Sequence, residues 1–338
     1  MASTPGLKAA LKRGALIAAA NWPLVIVGFV TDSSVKLLLA VPIVGGAFLV
    51  ALLLDAPLGE LLAGDVREIV TSIVSALTAS PAALVMFIVS ATLVFVAGSM
   101  FQFVVKGGMV ALLADAERIA GPIERPPLRL DPIRRAYVVS IESLLAGCAR
   151  LWRRYLRIGL GLLLVYAFTA GIYLVFIFGG YALAENSAVL LGWTVVAAAA
   201  SSVLIVWLAL VNFFYLMTQM VVAIEDVSVR TGVRLALTFI WGHLREVAAV
   251  FGVVLIVVVI ATAASILATA GLGLIAFVPL IGLAVLPLQL AAWLLRGIVF
   301  EYLALAALGA YLSHYRWYNS ASSSDEASGP RMSDKRTA

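Results

Sequence analysis

A single cysteine, Cys148, stands in 338 residues, so no intrachain disulfide can form and paired-cysteine metal or redox motifs are absent. Histidine is nearly as scarce: His243 and His314 lie far apart in sequence and offer no metal-ligand spacing, so neither a metal nor a cofactor is expected. Charged residues make up only 12% of the chain against 63% hydrophobic, a balance that excludes a soluble domain. The chain has no GxSxG elbow, no HExxH, no P-loop and no GxGxxG with an acidic residue behind it. Ser90, Ser99, Ser201 and Ser202 are available as nucleophiles, but no base is spaced to activate them. These gaps lean against an enzyme.

Long apolar runs fill the space. They cover 37–54, 82–105, 158–182, 187–224, 247–271 and 274–313, with a shorter one at 15–31. A spanning helix needs ~20 mostly apolar residues, and lipid admits only helices or closed barrels. The runs are continuous and lack the alternation of barrel strands. The fold class is therefore all-α: a polytopic transmembrane bundle.

Twenty of the 23 lysines and arginines fall within 1–14, 106–157, 225–246 and 314–338. Basic loops stay on the cytoplasmic side of a bilayer. Six spans put all four basic segments on that side and leave 55–80, 184–188 and 272–274 outside. A seventh span at 15–31 would export the ten bases of 106–157, so that stretch is read as a tilted, interfacial or re-entrant lead-in to the first span. The expected location is a bacterial inner membrane with both termini cytoplasmic. The basic start followed by Ala18-Ala19-Ala20 imitates a signal peptide, yet hydrophobicity continues past Trp22 to Leu54, as uncleaved membrane structure does. Anionic lipid headgroups account for the formal charge of +5 without nucleic acid.

Two runs exceed a bilayer's need. A straight helix over 187–224 would measure roughly 57 Å, nearly twice the ~30 Å hydrocarbon core, so it must tilt, kink or project. Pro287 predicts a break in the last run. Asp32, in the polar stretch Thr31-Asp32-Ser33-Ser34, reads as a turn residue before a proton carrier.

A weak threefold pattern is read as a pseudo-repeat, in units of about 1–112, 113–224 and 225–317, against the alternative of coincidental Ala, Val and Leu similarity, and a disordered cytoplasmic tail is expected at 318–338. Each unit opens with an amphipathic basic elbow ending near Trp22, Trp152 or Trp241, and two spans follow. Such an elbow lies in the interface plane, with its apolar side in acyl chains and its arginines among phosphates. Lys106, Arg134, Arg135, Arg150, Arg153, Arg154, Arg157, Arg230, Arg234 and Arg245 are the candidate headgroup contacts. Glu225 and Asp226 are expected to cap or staple the third elbow. In the second spans Phe101, Phe214 and Phe300 align, each followed by a polar residue: Gln102, Tyr215 or Glu301.

The stretch VVAIEDVSVRTGVRLALTFIWGHLRE (221–246) and the ending AYLSHYRW (310–317) resemble the membrane domain associated with bacterial glycerophosphodiester phosphodiesterases, and related six-helix integral membrane proteins. The resemblance implies elbow helices followed by paired spans. Phosphodiesterase activity is not expected to carry over, because no catalytic barrel and no acidic metal-binding set accompany these motifs here.

Ionisable groups within spans are costly and usually face a protein interior or a water-filled cavity. The candidates for an intramembrane polar cavity are Glu301, Arg296, Gln102, Asn212, Gln219 and Asp32, with Glu301 the sharpest. Arg296 and Glu301 are five residues apart, about 140° around a helix, so each needs its own partner. Two functions follow as expectations. The first is a non-enzymatic scaffold or accessory factor for a membrane or lipid pathway, binding anionic lipid and a membrane-protein partner or a second copy of itself. The alternative is a transporter or channel for a small or amphipathic solute. A lipid-active enzyme stands last.

Overall fold

The computed structural model describes residues 6–53, 81–124, 130–183, 187–276 and 281–327. Within them the chain forms α1 (Leu7–Ala20), α2 (Trp22–Leu53), α3 (Pro81–Ile119), α4 (Leu130–Arg135), α5 (Ile141–Leu183), α6 (Ser187–Glu225), α7 (Val229–Gly242), α8 (Leu244–Ala276) and α9 (Ile281–Ala327). Six of these (α2, α3, α5, α6, α8 and α9) contain stretches long and apolar enough to cross a membrane. The chain is an all-α, multi-pass integral membrane protein. The expected outer loop 55–80 and the tail from 328 onward lie outside the described residues.

The well-packed core sits at one end of the bundle, where both α1 and the last turns of α9 lie. Its centre is Leu113, Leu151, Tyr155, Met217, Met220, Phe239 and Tyr311, all nearly without solvent contact. At the far end the spans present Phe168, Val175, Leu191, Ile205 and Leu267 outward. This is the apolar band that lipid covers and water would not. The extra length of α3, α5 and α6 is explained here: their ends continue beyond a bilayer's thickness into this core.

Close contacts at the core end follow a cyclic order. α1 packs on α9, where a Cβ on Gly14 would lie 2.3 Å from the Ala306 carbonyl. The first turns of α5 pack on α3, where a Cβ on Gly147 would lie 3.1 Å from the Gly108 Cα. α7 packs on α6, where a Cβ on Gly232 would meet Val222 at 2.3 Å. The start of α5 and α7 therefore each rest on the long helix before them, and α1 rests on the last, α9. The contacts fall about two helical turns beyond the aligned Phe101, Phe214 and Phe300.

The elbows differ from expectation in two ways. Their buried faces mix small residues with one large one each, Ala10, Gly14 and Ala18 with Ile17 on α1 and Gly232 and Ala236 with Phe239 on α7, and they pack on protein instead of acyl chains. Only α1 and α7 end before their spans begin; the second elbow, 133–152, is interrupted at 136–140, and its remainder from Ile141 runs straight on into the span of α5. α1 stops at Asn21 (φ −107°, ψ 39°) and α7 at His243 (φ −130°, ψ 35°), and the next helix starts at once. Trp22, Trp152 and Trp241 are all exposed, as an interfacial belt requires.

Asn21 also pins the chain before α5. Wholly buried, its Nδ2 donates to the Ile17 and Ala136 carbonyls at 3.0 and 2.9 Å, and its Oδ1 accepts from the Val138 N–H at 3.1 Å.

Several boundaries are corrected. The first span starts at Trp22, so 15–31 is divided between elbow and span, and Thr31–Ser34 is helical. Asp32 is not a turn residue: its carboxylate pairs with Lys36 one turn on, at 2.6 Å. α3 continues through Lys106 to Ile119 and ends where Gly121 adopts φ +62°. α8 runs through the expected loop 272–274 to Ala276. Pro287 lies inside an unbroken α9, in its second turn, where only one backbone bond near the helix start is lost. α9 also continues past 318 to Ala327, so the polar tail begins as helix.

Candidate functional site

Two helical stripes define the site. On α2, Phe29, Asp32, Ser33 and Lys36 recur at i, i+3, i+4 and i+7, one face of a helix. On α9, Trp293, Arg296, Gly297, Phe300 and Glu301 do the same. The stripes meet because two glycines admit close approach: a Cβ on Gly297 would lie 2.3 Å from the Phe29 ring, and one on Gly28 would lie 2.7 Å from Glu301 Oε2. With Thr262 of α8 they line a cavity of about 410 Å³. That lies in the lower part of the usual small-molecule range of roughly 300–1,000 Å³, room for a small solute or a headgroup but not a whole phospholipid.

The cavity falls within the spans. Asp32 is eleven residues from Asn21, about 16 Å up the helix. Four ionisable groups face it: Asp32, Lys36, Arg296 and Glu301. Asp32 is satisfied by Lys36 and, weakly, by Gln102 Nε2 at 3.4 Å. The other two are not. Among the described residues the Glu301 carboxylate has neither a hydrogen bond nor an ion pair, although Lys106, Asp32 and Lys36 are near enough to act on it electrostatically. Arg296 has no acidic partner and lies over the Phe300 ring, 5.8 Å from its centroid. Phe29 and Trp293 meet edge to face at 6.0 Å and form an aromatic corner beside these charges.

Of the six expected cavity residues, the structure brings Asp32, Arg296 and Glu301 to the cavity wall and Gln102 directly behind Asp32. Asn212 is elsewhere, accepting from Tyr166 OH at 2.6 Å and tying α6 to α5. Gln219 lies in the core, where its carbonyl accepts from Tyr155 OH at 2.8 Å and its side-chain Nε2 is buried without a partner. Lys36, Ser33, Thr262, Phe29 and Trp293 were missed. The i, i+3, i+4, i+7 pattern of 29–36 was visible, but only to a reader who took Thr31–Ser34 as helix.

Among the headgroup candidates, Arg134, Arg135, Arg150, Arg153, Arg157, Arg230, Arg234 and Arg245 are exposed. Lys106 is not among them: it is half-buried in mid-helix and is the charge acting most strongly on Glu301. Arg154 pairs with Asp226 instead. Glu225 accepts from Asn319 Nδ2 at 2.7 Å, so neither acid caps α7; Ser228 does, accepting from the Thr231 N–H.

A second charged cluster, unanticipated in sequence, closes the core end. Glu117 of α3 is held by Arg13 of α1 at 3.0 Å and by Arg316 of α9 at 2.7 Å, and its side chain is only 6% exposed. Arg13 also pairs with Glu124 at 2.9 Å and donates to the Gly121 carbonyl. Arg316 donates to the Ala114 carbonyl at 2.7 Å. His243 and His314 are near enough to interact, with Glu246 beside them. Even so, no group of three or more His, Cys, Asp or Glu among the described residues is arranged to hold a metal ion. Ser90, Ser201 and Ser202 each donate to a carbonyl of their own helix.

The chain matches no protein-family model, no curated protein and no solved structure. Its class rests on its own geometry: a helical membrane protein with six helices among the described residues long and apolar enough to span a bilayer, and a charged cavity between α2, α8 and α9.

Proposed function

We propose that this membrane protein takes a small charged solute, or the headgroup of an amphiphile, into the cavity between α2, α8 and α9 and moves it across the bilayer. The basic core end faces the cytoplasm of a bacterial inner membrane, with both termini on that side, following the distribution of arginines and lysines. One observation carries the functional reading: Glu301 and Arg296 line a single intramembrane cavity, and neither forms an ion pair among the described residues, Lys106 and Lys36 acting on Glu301 without such contact. Keeping ionisable groups in a membrane costs several kcal/mol, a cost that packing alone gives no reason to retain.

The scaffold role is the second reading. What favours it is the far half of α5 and α6, whose apolar side chains meet little of the rest of the chain and are open to a partner helix as well as to lipid. Headgroup binding by the exposed arginines fits both readings.

The test is flux. Protein reconstituted into liposomes is assayed by charge displacement against a panel of amino acids, amines, organic phosphates and inorganic ions, and by scrambling of fluorescent lipids. Transport lost in Glu301→Gln supports the proposal. A wild-type protein inert throughout the panel, with a cavity closed to water-soluble reagents, returns the scaffold reading to first place.

A further inference from the structure

Resting on the cavity reading above, we infer that the ligand is a zwitterion carrying an ammonium and a phosphate joined by a short linker, the chemistry shared by free phosphoethanolamine or phosphocholine and the corresponding lipid headgroups. The argument starts from helix direction. Gly28 meets Glu301 while Phe29 meets Gly297, so α2 and α9 run antiparallel through the site. From the core end outward, Glu301 comes first, then Asp32 and Arg296, then Lys36. Side chains lean toward the N-terminus of their own helix. Asp32 on α2 therefore leans toward Glu301, and Arg296 on α9 leans away from it. The cavity has an acidic floor and a basic rim.

Pairing then decides what is left for a ligand. Asp32 and Lys36 neutralise each other at 2.6 Å. The remainder is one carboxylate at the floor, which Lys106 influences without forming an ion pair with it, and one guanidinium about 7.5 Å higher along α9. A simple cation would satisfy Glu301 and leave Arg296 bare; a simple anion would do the reverse. Only a ligand with both charges satisfies both ends, and the half-buried Glu301 is the end at which an unpaired charge costs most. The planar, always-charged guanidinium suits a phosphate. The aromatic corner of Phe29 and Trp293 lies farther out, against Gly297 and one turn beyond it, and lines the path an ammonium takes to the carboxylate. The volume of about 410 Å³ admits the headgroup while acyl chains stay outside.

The experiment measures thermal stabilisation of the purified full chain in detergent by phosphoethanolamine, phosphocholine, ethanolamine, choline and inorganic phosphate. In parallel, nanodiscs of phosphatidylethanolamine are compared with nanodiscs of phosphatidylglycerol. The zwitterions are expected to bind about tenfold or more tightly than ethanolamine, choline or phosphate alone. Glu301→Gln and Arg296→Gln should each remove that advantage, whereas Asn212→Ala, away from the cavity, should keep it. Arg296 is exposed, so its variant carries the test even if Glu301→Gln folds poorly. Stabilisation by soluble zwitterions identifies a free solute, and stabilisation only in phosphatidylethanolamine nanodiscs identifies the lipid; either supports the inference. If phosphate or choline alone binds as well, through the same two residues, the zwitterion is wrong and the cavity reading stands. If no probe binds, or binding ignores both substitutions, the zwitterion is overturned, and the flux assay then decides the cavity reading separately.

Discussion

Gly14 and Gly309 face each other across α1 and α9 so closely that a Cβ on Gly309 would stand 2.9 Å from the Gly14 Cα. This is backbone against backbone, the contact that brings the first elbow onto the last span. Gly147 against Gly108 makes the equivalent contact between α5 and α3. Small residues at such crossings matter more in a membrane, where apolar surface gains nothing by leaving lipid and packing must hold helices together.

Gly14→Ala is therefore expected to destabilise the protein by about 2 kcal/mol, the scale of overpacking where the obstructing atoms are main chain. Gly171→Ala is the control. A Cβ there meets nothing within 4 Å, and the change should stay within about 0.5 kcal/mol. Melting temperatures of the two variants in one detergent check both values; equal shifts would mean that the α1–α9 contact does not hold the fold.

Glu117 predicts the response of the ion cluster. Removing its charge in Glu117→Gln leaves Arg13 and Arg316 facing a neutral group in a largely buried setting, and a loss of about 3 kcal/mol is expected. Arg13→Ala should cost more than Arg316→Ala, since their side chains are 14% and 26% exposed. Arg154→Ala breaks a pair whose Asp226 side is 56% exposed and should cost under about 1 kcal/mol. Chemical denaturation at low and high salt separates the cases, because only the Arg154 pair should respond strongly to screening.

The spans were legible because lipid imposes a simple rule on composition, and the basic ends because charge is sorted across a bilayer. What escaped were places where the same lipid overrides a local signal. Thr31-Asp32-Ser33-Ser34 reads as a turn in water, but a backbone in hydrocarbon keeps its helical bonds and lets Asp32 pair with Lys36. Lys106 read as the end of a span; the helix instead continues through Gly107 and Gly108, where Tyr155 and Leu144 pack closely against it. The Glu117 cluster was invisible for another reason. Arg13 and Glu117 are 104 residues apart, and only the packing of α1 beside the end of α3 makes them neighbours. Of the cavity, Asp32, Arg296 and Glu301 were found, while Lys36 and their uncharged company were not: aromatic and hydroxyl residues on an apolar helix look like ordinary lipid-facing sequence until a partner helix is placed against them.

Asn21 should behave as a structural clamp. Asn21→Ala strands the Ala136 carbonyl and the Val138 N–H, and about 2 kcal/mol of stability is expected to go with them. Asn21→Asp should be worse, because it removes both donors and buries a carboxylate that keeps only the Val138 contact. Both variants should open the segment between α4 and α5 to limited proteolysis near Tyr137–Ser140. Unchanged cleavage there would show that the segment is held by other contacts.

Orientation can be read by thiol labelling in a Cys148→Ala background, which removes the only native cysteine. Ser140, exposed beside α5 at the core end, should resist an impermeant maleimide in intact cells as Ser140→Cys and react once membranes are opened. Tyr181, exposed near the far end of α5, should react from outside as Tyr181→Cys. Ser33→Cys reports on the cavity itself. The core layer of Leu24, Met109 and Leu305 lies between it and the basic end, so reagent should reach it from the far side alone. Outside labelling of Ser140→Cys would invert the topology, and with it the claim that arginines mark the inner leaflet. Silence at Ser33→Cys from both sides would instead leave the topology intact and show a cavity without water, where Glu301 and Arg296 could meet no solute.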